Sequence, residues 1–280
     1  MSRILPFEVP SSDGYPLRGK IHLPDDGPAP GVLLVHGFKG FMDWGFWPLL
    51  GEALAEAGLA ACRFNLSGSG VGEDGETFSE KERFETNTHS REVEDVLLMA
   101  DLLARGEIPG AATRAGEIGL LGHSRGGGAA ILAAANDPNI ASLVTWASIA
   151  TVQRFSDEQI EALRKQGYFR VENARTGDVF HIGPGALDDI ENKAEDLDIL
   201  SAAASLEIPT LVVHGTVDEA VPFAESLALI SAFADSTFLR VDGAGHTFGA
   251  THPMPDSIPL SLEMVINASV DHIAESLNKS

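Results

Sequence analysis

Val32-Leu33-Leu34-Val35 offers no polar position on either alternate face, and a strand of that kind is stable only when both faces are covered. It therefore belongs inside a parallel sheet flanked by helices. The following sequence supplies them. Pro48 to Ala57 sets Leu49, Leu50, Leu54 and Ala57 at helical spacing and stops at Gly58, after which Leu59 to Asn65 reads as the next strand. The alternation continues with a helix over Arg91 to Leu103 (Val93, Val96, Leu97 and Leu103 inward), a strand over Ile118 to Leu121, a helix opening at Gly127 and a strand over Leu143 to Ala147. It resumes with a strand over Thr210 to Val213, a helix over Pro222 to Phe233, a strand over Thr237 to Val241 and a last helix from about Pro259 to Leu277. Two short strands around the turn Ser12-Asp13-Gly14 predict an antiparallel start.

Residues 152–200 break this rhythm. They hold a polar helix (Ser156 to Gln166), a hairpin with Thr176-Gly177-Asp178 near its tip, and the acidic run Asp188 to Asp198. The expectation is one domain over residues 1–280 with a cap inserted at 152–200. No period of 20 to 50 residues repeats, which excludes a solenoid.

Charge narrows the function. With 19 Lys and Arg against 41 Asp and Glu, the net charge is −22, the opposite of what a phosphate backbone requires, so a nucleic-acid partner is excluded. The acidity describes a soluble, self-repelling surface, and adaptation to high salt is the sharper alternative it leaves open. No run approaches 18 uncharged apolar residues, so no membrane partner is expected. Cys62 is the single cysteine and residues 1–30 contain no apolar leader core, which together predict a reducing, cytoplasmic setting. A homodimer stays open.

The strand Ile118 to Leu121 runs directly into Gly122-His123-Ser124-Arg125-Gly126 and then Gly127-Gly128-Ala129-Ala130. This is GxSxG between a strand and a helix, where a sharp turn forces the serine into a strained conformation and small flanking residues let strand and helix approach. A serine hydroxyl needs a base within hydrogen-bond reach, and the base needs a carboxylate to fix its tautomer. Downstream, His214-Gly215-Thr216-Val217-Asp218 leaves a strand's carboxyl end and Gly243-Ala244-Gly245-His246 leaves another, the edge where open α/β sheets place their sites. Asp218 is the preferred carboxylate, with Glu219 and Asp242 as its neighbours in contention. For a developing oxyanion, the loop His36-Gly37-Phe38 would offer the Phe38 amide, and the second donor would be the amide of Arg125.

These four segments resemble the α/β-hydrolase superfamily, more narrowly the dienelactone-hydrolase-like and cinnamoyl-esterase-like serine hydrolases. The resemblance implies an α/β-hydrolase fold: a mostly parallel sheet of about eight strands, helices on both faces and a small cap. It implies Ser124 as nucleophile, His246 as general base, Asp218 as acid, and Phe38 and Arg125 as oxyanion amides. The expected activity is cleavage of a small-molecule carboxylic ester through an acyl-enzyme. Thioesterase, amide or peptide hydrolase, and a non-catalytic scaffold are the alternatives. Phe41 and Trp44 behind the oxyanion loop, and Tyr168 and Phe180 in the cap, are the expected pocket residues; Lys39 and Arg125 are candidates for holding a substrate anion.

No cofactor and no metal are expected. Gly70-Val71-Gly72-Glu73-Asp74-Gly75 matches GxGxxG, but Glu73 and Asp74 would face the pyrophosphate and no apolar helix follows.

Overall fold

The computed structural model describes residues 2–173 and 177–277. The chain opens with the antiparallel pair β1 (Arg3–Pro10) and β2 (Pro16–Leu23). Next come β3 (Gly31–Val35), α1 (Trp47–Glu56), β4 (Ala60–Phe64), the short α2 (Lys81–Glu85), α3 (His89–Ala104), β5 (Ile118–His123), α4 (Arg125–Ala134) and β6 (Ile140–Trp146). Between β6 and the next strand of the sheet lie α5 (Asp157–Gln166), the antiparallel hairpin β7 (Phe169–Glu172) and β8 (Val179–Ile182), and α6 (Gly185–Asn192), the segment called the cap below. The chain then returns through α7 (Ile199–Ser205), β9 (Thr210–Gly215), α8 (Phe223–Ala232), β10 (Ser236–Val241) and α9 (Leu260–Leu277).

Eight strands form one sheet in the order β1-β2-β4-β3-β5-β6-β9-β10. β2 pairs antiparallel with β4, and from β4 to β10 every pair is parallel. Every residue of β3, β4 and β5 is buried, including Arg63 in β4 and His123 in β5, as the wholly apolar run of β3 requires for that strand. One face is covered by α3, α4, α7 and α8 over a core that includes Met99, Ile131, Ala203 and Leu229. α1 and α9 cover the other through Trp47, Leu50, Val265 and Ile273. On that side Trp146 is fully enclosed, and its indole N–H is satisfied at 2.8 Å by Ser269 Oγ.

On α3, Val96 and Leu103 are buried, Val93 and Leu97 are partly buried against the same core, and the buried stripe also includes Glu92 and Asp95. Arg125 of α4 and the Ser67 amide after β4 supply partners for those carboxylates. Within the acidic run Asp188 to Asp198, Asp189 accepts the Ser90 amide from α3 at 2.9 Å, and Asp198 caps α7. The cap has its own small core, in which Phe180 packs on Phe78 and Phe84 with ring centroids 5.4 and 4.7 Å away. Gly177 and Asp178 lie near the hairpin tip; Thr176 is outside the described residues. No helix among the described residues is long and apolar enough to cross a membrane.

Candidate active site

β5 ends at His123, and Ser124 turns the chain into α4 with φ 58° and ψ −124°. An L-residue held there stores on the order of 1–3 kcal/mol. The neighbours enforce it: the Ser124 amide donates to the Trp146 carbonyl at 2.8 Å, and its own carbonyl accepts from Gly127 at 2.9 Å. Strand and helix meet so closely that a Cβ on Gly126 would lie 2.4 Å from the His36 carbonyl oxygen, and one on Gly122 would lie 2.3 Å from that of Gly126. Glycine is required at both.

Adjacent parallel strands β9 and β10 deliver the other two side chains to the same edge. Their loops are knitted by Val217 N–H to the Ala244 carbonyl (3.1 Å) and Gly243 N–H to Thr216 Oγ1 (2.9 Å). Asp218, its side chain wholly removed from solvent, accepts Ala220 N–H and Val221 N–H on Oδ1 at 2.8 and 2.9 Å, and His246 Nδ1 on Oδ2 at 2.8 Å. His214 Nε2 lies 3.3 Å from the same Oδ2. Burial pushes the Asp218 carboxyl up, but the bonds from His214, His246 and Val221 outweigh it and hold the group well below the usual carboxylate range. An ionised carboxylate only accepts, so His246 carries its proton on Nδ1 and presents a lone pair at Nε2. Glu219 is exposed, and Asp242 is paired with Arg240 in solvent.

His123 supports the His246 backbone. Its Nε2 donates to the His246 carbonyl at 2.9 Å, the two rings lie 4.6 Å apart, and burial, with the charge of His246 adding, pushes its pKa down to about 3.

The loop after β3 is organised by His36. Its Nε2 accepts the Leu66 amide at 3.2 Å, so the proton is on Nδ1, which donates to the Gly37 carbonyl at 2.9 Å. Burial pushes the His36 pKa down to about 4 and keeps that tautomer neutral. The Gly40 amide binds the same Gly37 carbonyl at 3.0 Å. In a planar trans peptide N–H and C=O point in opposite directions, so fixing the Gly37 oxygen on one side aims the Phe38 N–H to the other, where Ser124 stands. Gly37 allows the approach: a Cβ there would lie 2.9 Å from Ser124 Cβ and 3.3 Å from the Arg125 amide nitrogen. The Arg125 N–H, in the first turn of α4, has no intrahelical acceptor.

Ser124 and His246 line two clefts. The smaller, about 150 Å³, runs between Trp44, Phe46, Trp47 and Thr247. The larger, about 480 Å³, lies under the cap against Ile149, Val152, Phe155, Phe169, Val171 and Ile182. Lys39 at its rim donates to the Glu172 carbonyl of β7 at 3.0 Å, tying the loop after β3 to the cap. In its wall, Arg125 Nε donates to buried Glu92 at 2.7 Å, and the guanidinium lies 5.6 Å from the Phe38 ring centroid. His89 in the same wall is held well below the ordinary histidine range, chiefly by burial and then by Arg125 and Arg154. Among the described residues, no His, Cys, Asp and Glu side chains group in threes around a point that could hold a metal.

A profile of the prolyl oligopeptidase family matches residues 51–254, a stretch that contains Ser124, Asp218 and His246. The chain belongs to the prolyl oligopeptidase family. Within the α/β-hydrolase superfamily it is a serine-hydrolase-type member. It is 26% identical over 209 residues to 2,6-dihydropseudooxynicotine hydrolase from Paenarthrobacter nicotinovorans, an alignment covering 74% of this chain and 49% of that protein. The chain thus spans about half the length of that relative. Among solved structures, Est1E from Butyrivibrio proteoclasticus with ferulic acid bound superposes with a TM-score of 0.72 at 22% identity, over 95% of this chain and 97% of that one. Dienelactone hydrolase from Anabaena variabilis gives 0.66 at 17% identity, over 98% of each chain. At these identities the likeness is one of fold.

In this prolyl oligopeptidase family chain, Ser124, Asp218, His246, Phe38 and Arg125 converge on one rim, and Trp44 lines the smaller cleft. Phe41, Tyr168 and Phe180 line neither cleft, a correction to their expected place in the pocket. Phe41 and Phe180 are consumed in the cap core, and Tyr168 stacks on His181 at 4.3 Å, because the hairpin docks on Phe78 and Phe84. Sequence reasoning missed His36, His123 and His214 as supports. All three lie inside the motifs already singled out, and an imidazole beside a site glycine is the signal that was available. Glu92 gave none, being one acid among 41 Asp and Glu.

Proposed function

We propose that this chain cleaves carboxylic esters of small to medium size through an acyl-enzyme. Ser124 Oγ attacks the ester carbonyl while His246 Nε2 takes its proton, and the Phe38 and Arg125 amides bind the oxygen that becomes negative. Collapse of the tetrahedral species breaks the C–O bond, and the alcohol leaves with the proton held on His246. Water then attacks the acyl group, gives a proton to His246, and the acid departs as Ser124 recovers its hydrogen. The observation that carries the reading is the 2.8 Å bond from Asp218 to His246 beside a strained serine on the same cleft. Two unequal clefts suit the two halves of a small ester, with the apolar body under the cap. The partner is then a small molecule, and the setting proposed is cytoplasmic.

Family membership favours a second reading, cleavage of an amide or peptide by the same groups. An amine leaves only after protonation, so this route leans harder on His246 as acid. The test is labelling with a fluorophosphonate probe, followed by p-nitrophenyl acetate and butyrate beside the matching anilides. Expected are labelling and ester turnover that vanish in Ser124→Ala, with anilides far slower. Anilide turnover matching the esters would favour the second reading, and unchanged turnover in a folded Ser124→Ala protein would overturn both.

A further inference from the structure

His214 is the second imidazole on the Asp218 carboxylate, and the ester mechanism gives it no part. It stands near the end of β9 with its side chain fully enclosed, edge-on to Phe223 at 5.8 Å between ring centroids. Its Nε2 lies 3.0 Å from the Val221 carbonyl oxygen and 3.3 Å from Asp218 Oδ2. A carbonyl only accepts, so Nε2 carries the proton and shares it between the two oxygens. Nδ1, on the far side of the ring, is buried and has no hydrogen-bond partner among the described residues. The polar function of the ring is therefore spent wholly on the acid loop, at the expense of an unsatisfied nitrogen.

We infer that His214 is a positioning residue that tunes the base His246 through the carboxylate oxygen the two imidazoles share. The inference rests on the serine-hydrolase reading above. Asp218 Oδ1 is already filled by two backbone amides, so Oδ2 alone divides its charge, and it divides it between His214 and His246. Each donor weakens the pull left for the other. The His214 bond therefore moderates how strongly Asp218 favours the protonated form of His246, and it keeps Oδ2 in line with Nδ1. Removing that donor concentrates the charge on the His246 side, and the imidazolium becomes easier to form. Among the described residues, the other ionisable groups around His246 are His123 at the end of β5 and Lys39, His89, Arg125 and Arg154 on the cleft walls. All of them stay in place when only position 214 changes, so a difference between variants reports that position.

The experiment titrates His246 by NMR in ring-labelled protein and, in parallel, follows the acid limb of kcat/KM for p-nitrophenyl butyrate. Wild type is compared with His214→Phe, which keeps the ring packing and loses the donor, and with His214→Gln, whose amide can donate to the same oxygens. His214→Phe is expected to move the His246 midpoint upward by about half a pH unit or more and to lower kcat. His214→Gln is expected to hold the wild-type midpoint. A folded Phe variant with an unmoved midpoint, or Phe and Gln variants that move together, would overturn the inference. Should the Phe variant fail to fold, His214→Asn, whose shorter amide stops short of Asp218, takes its place with the same expectation. Absence of ester turnover alongside a shifted midpoint counts against the esterase reading alone, and turnover with an unshifted midpoint counts against this inference alone.

Discussion

Asp218 Oδ2 lies 2.8 Å from His246 Nδ1 while its other oxygen is held by two consecutive backbone amides, so the carboxylate cannot swing away from the imidazole. An amide in its place would offer an N–H where the acceptor stands and would favour the opposite tautomer. Asp218→Asn is expected to lower kcat by roughly 10⁴ with the fold intact. Steady-state kinetics beside a thermal melt check it, and a loss under tenfold would argue that His246 takes its tautomer from elsewhere.

Gly37→Ala should act on rate before stability. The added methyl meets Ser124 Cβ and the His123 carbonyl oxygen, both at 2.9 Å, and must push the Phe38 amide out of line. The expected loss is about 10²–10³ in kcat, the effect of one oxyanion donor. A variant that keeps full kcat would show that the Phe38 amide is not needed.

Asp95 makes stability depend on pH in an unusual direction. Burial, with Glu92 and Asp13 adding to it against the Ser67 amide bond, pushes its pKa up to about 7. The fold then favours the protonated acid, so its contribution is intact below the unfolded value of about 4 and is lost as pH rises towards 7. Asp95→Asn removes that loss. Relative to wild type, the variant should gain on the order of 2–4 kcal/mol between pH 4 and pH 8, read from urea unfolding. An equal offset at both pH values would place the proton elsewhere.

Four buried histidines act in the opposite sense. His22 and His36 are pushed down to about 4, His123 to about 3, and His89 well below its usual range, mainly by burial. The unfolded chain takes up their protons from about pH 6.5 downward and the fold refuses them, so stability falls as pH drops towards 4. Four protons gained on unfolding, less the one released by Asp95, leave three, or about 4.1 kcal/mol per pH unit at the steepest. Denaturant midpoints between pH 6.5 and 4.5 measure the slope, and a flat profile there would mean that these rings are charged in the fold.

Much of the site can be read from sequence for a local reason. The turn at Ser124 needs small residues at fixed offsets, and Asp218 and His246 leave strand ends in chain order, so motif and order point to them, with Glu219 and Asp242 left in contention for the carboxylate. What could not be read is assembled from distant segments. Glu92 is buried because Arg125 and Asn87 meet it, and Arg63 because His22, the Met42 carbonyl and Asp43 enclose it. Neither set has a periodic signature. The cap aromatics failed for a related reason: hydrophobicity foretells that Phe180 is buried, but only the docking of β7 and β8 decides whether it faces the cleft or Phe84.

Lys39, in a left-handed conformation at φ 55°, joins the turn after Phe38 to the first strand of the hairpin. On the proposed esterase reading, a bulky acid that pries the hairpin upward would drag on that tether. Misfit would then be felt where the bond is broken rather than where the molecule is held, and selectivity among large substrates is expected as lowered kcat with KM nearly unmoved.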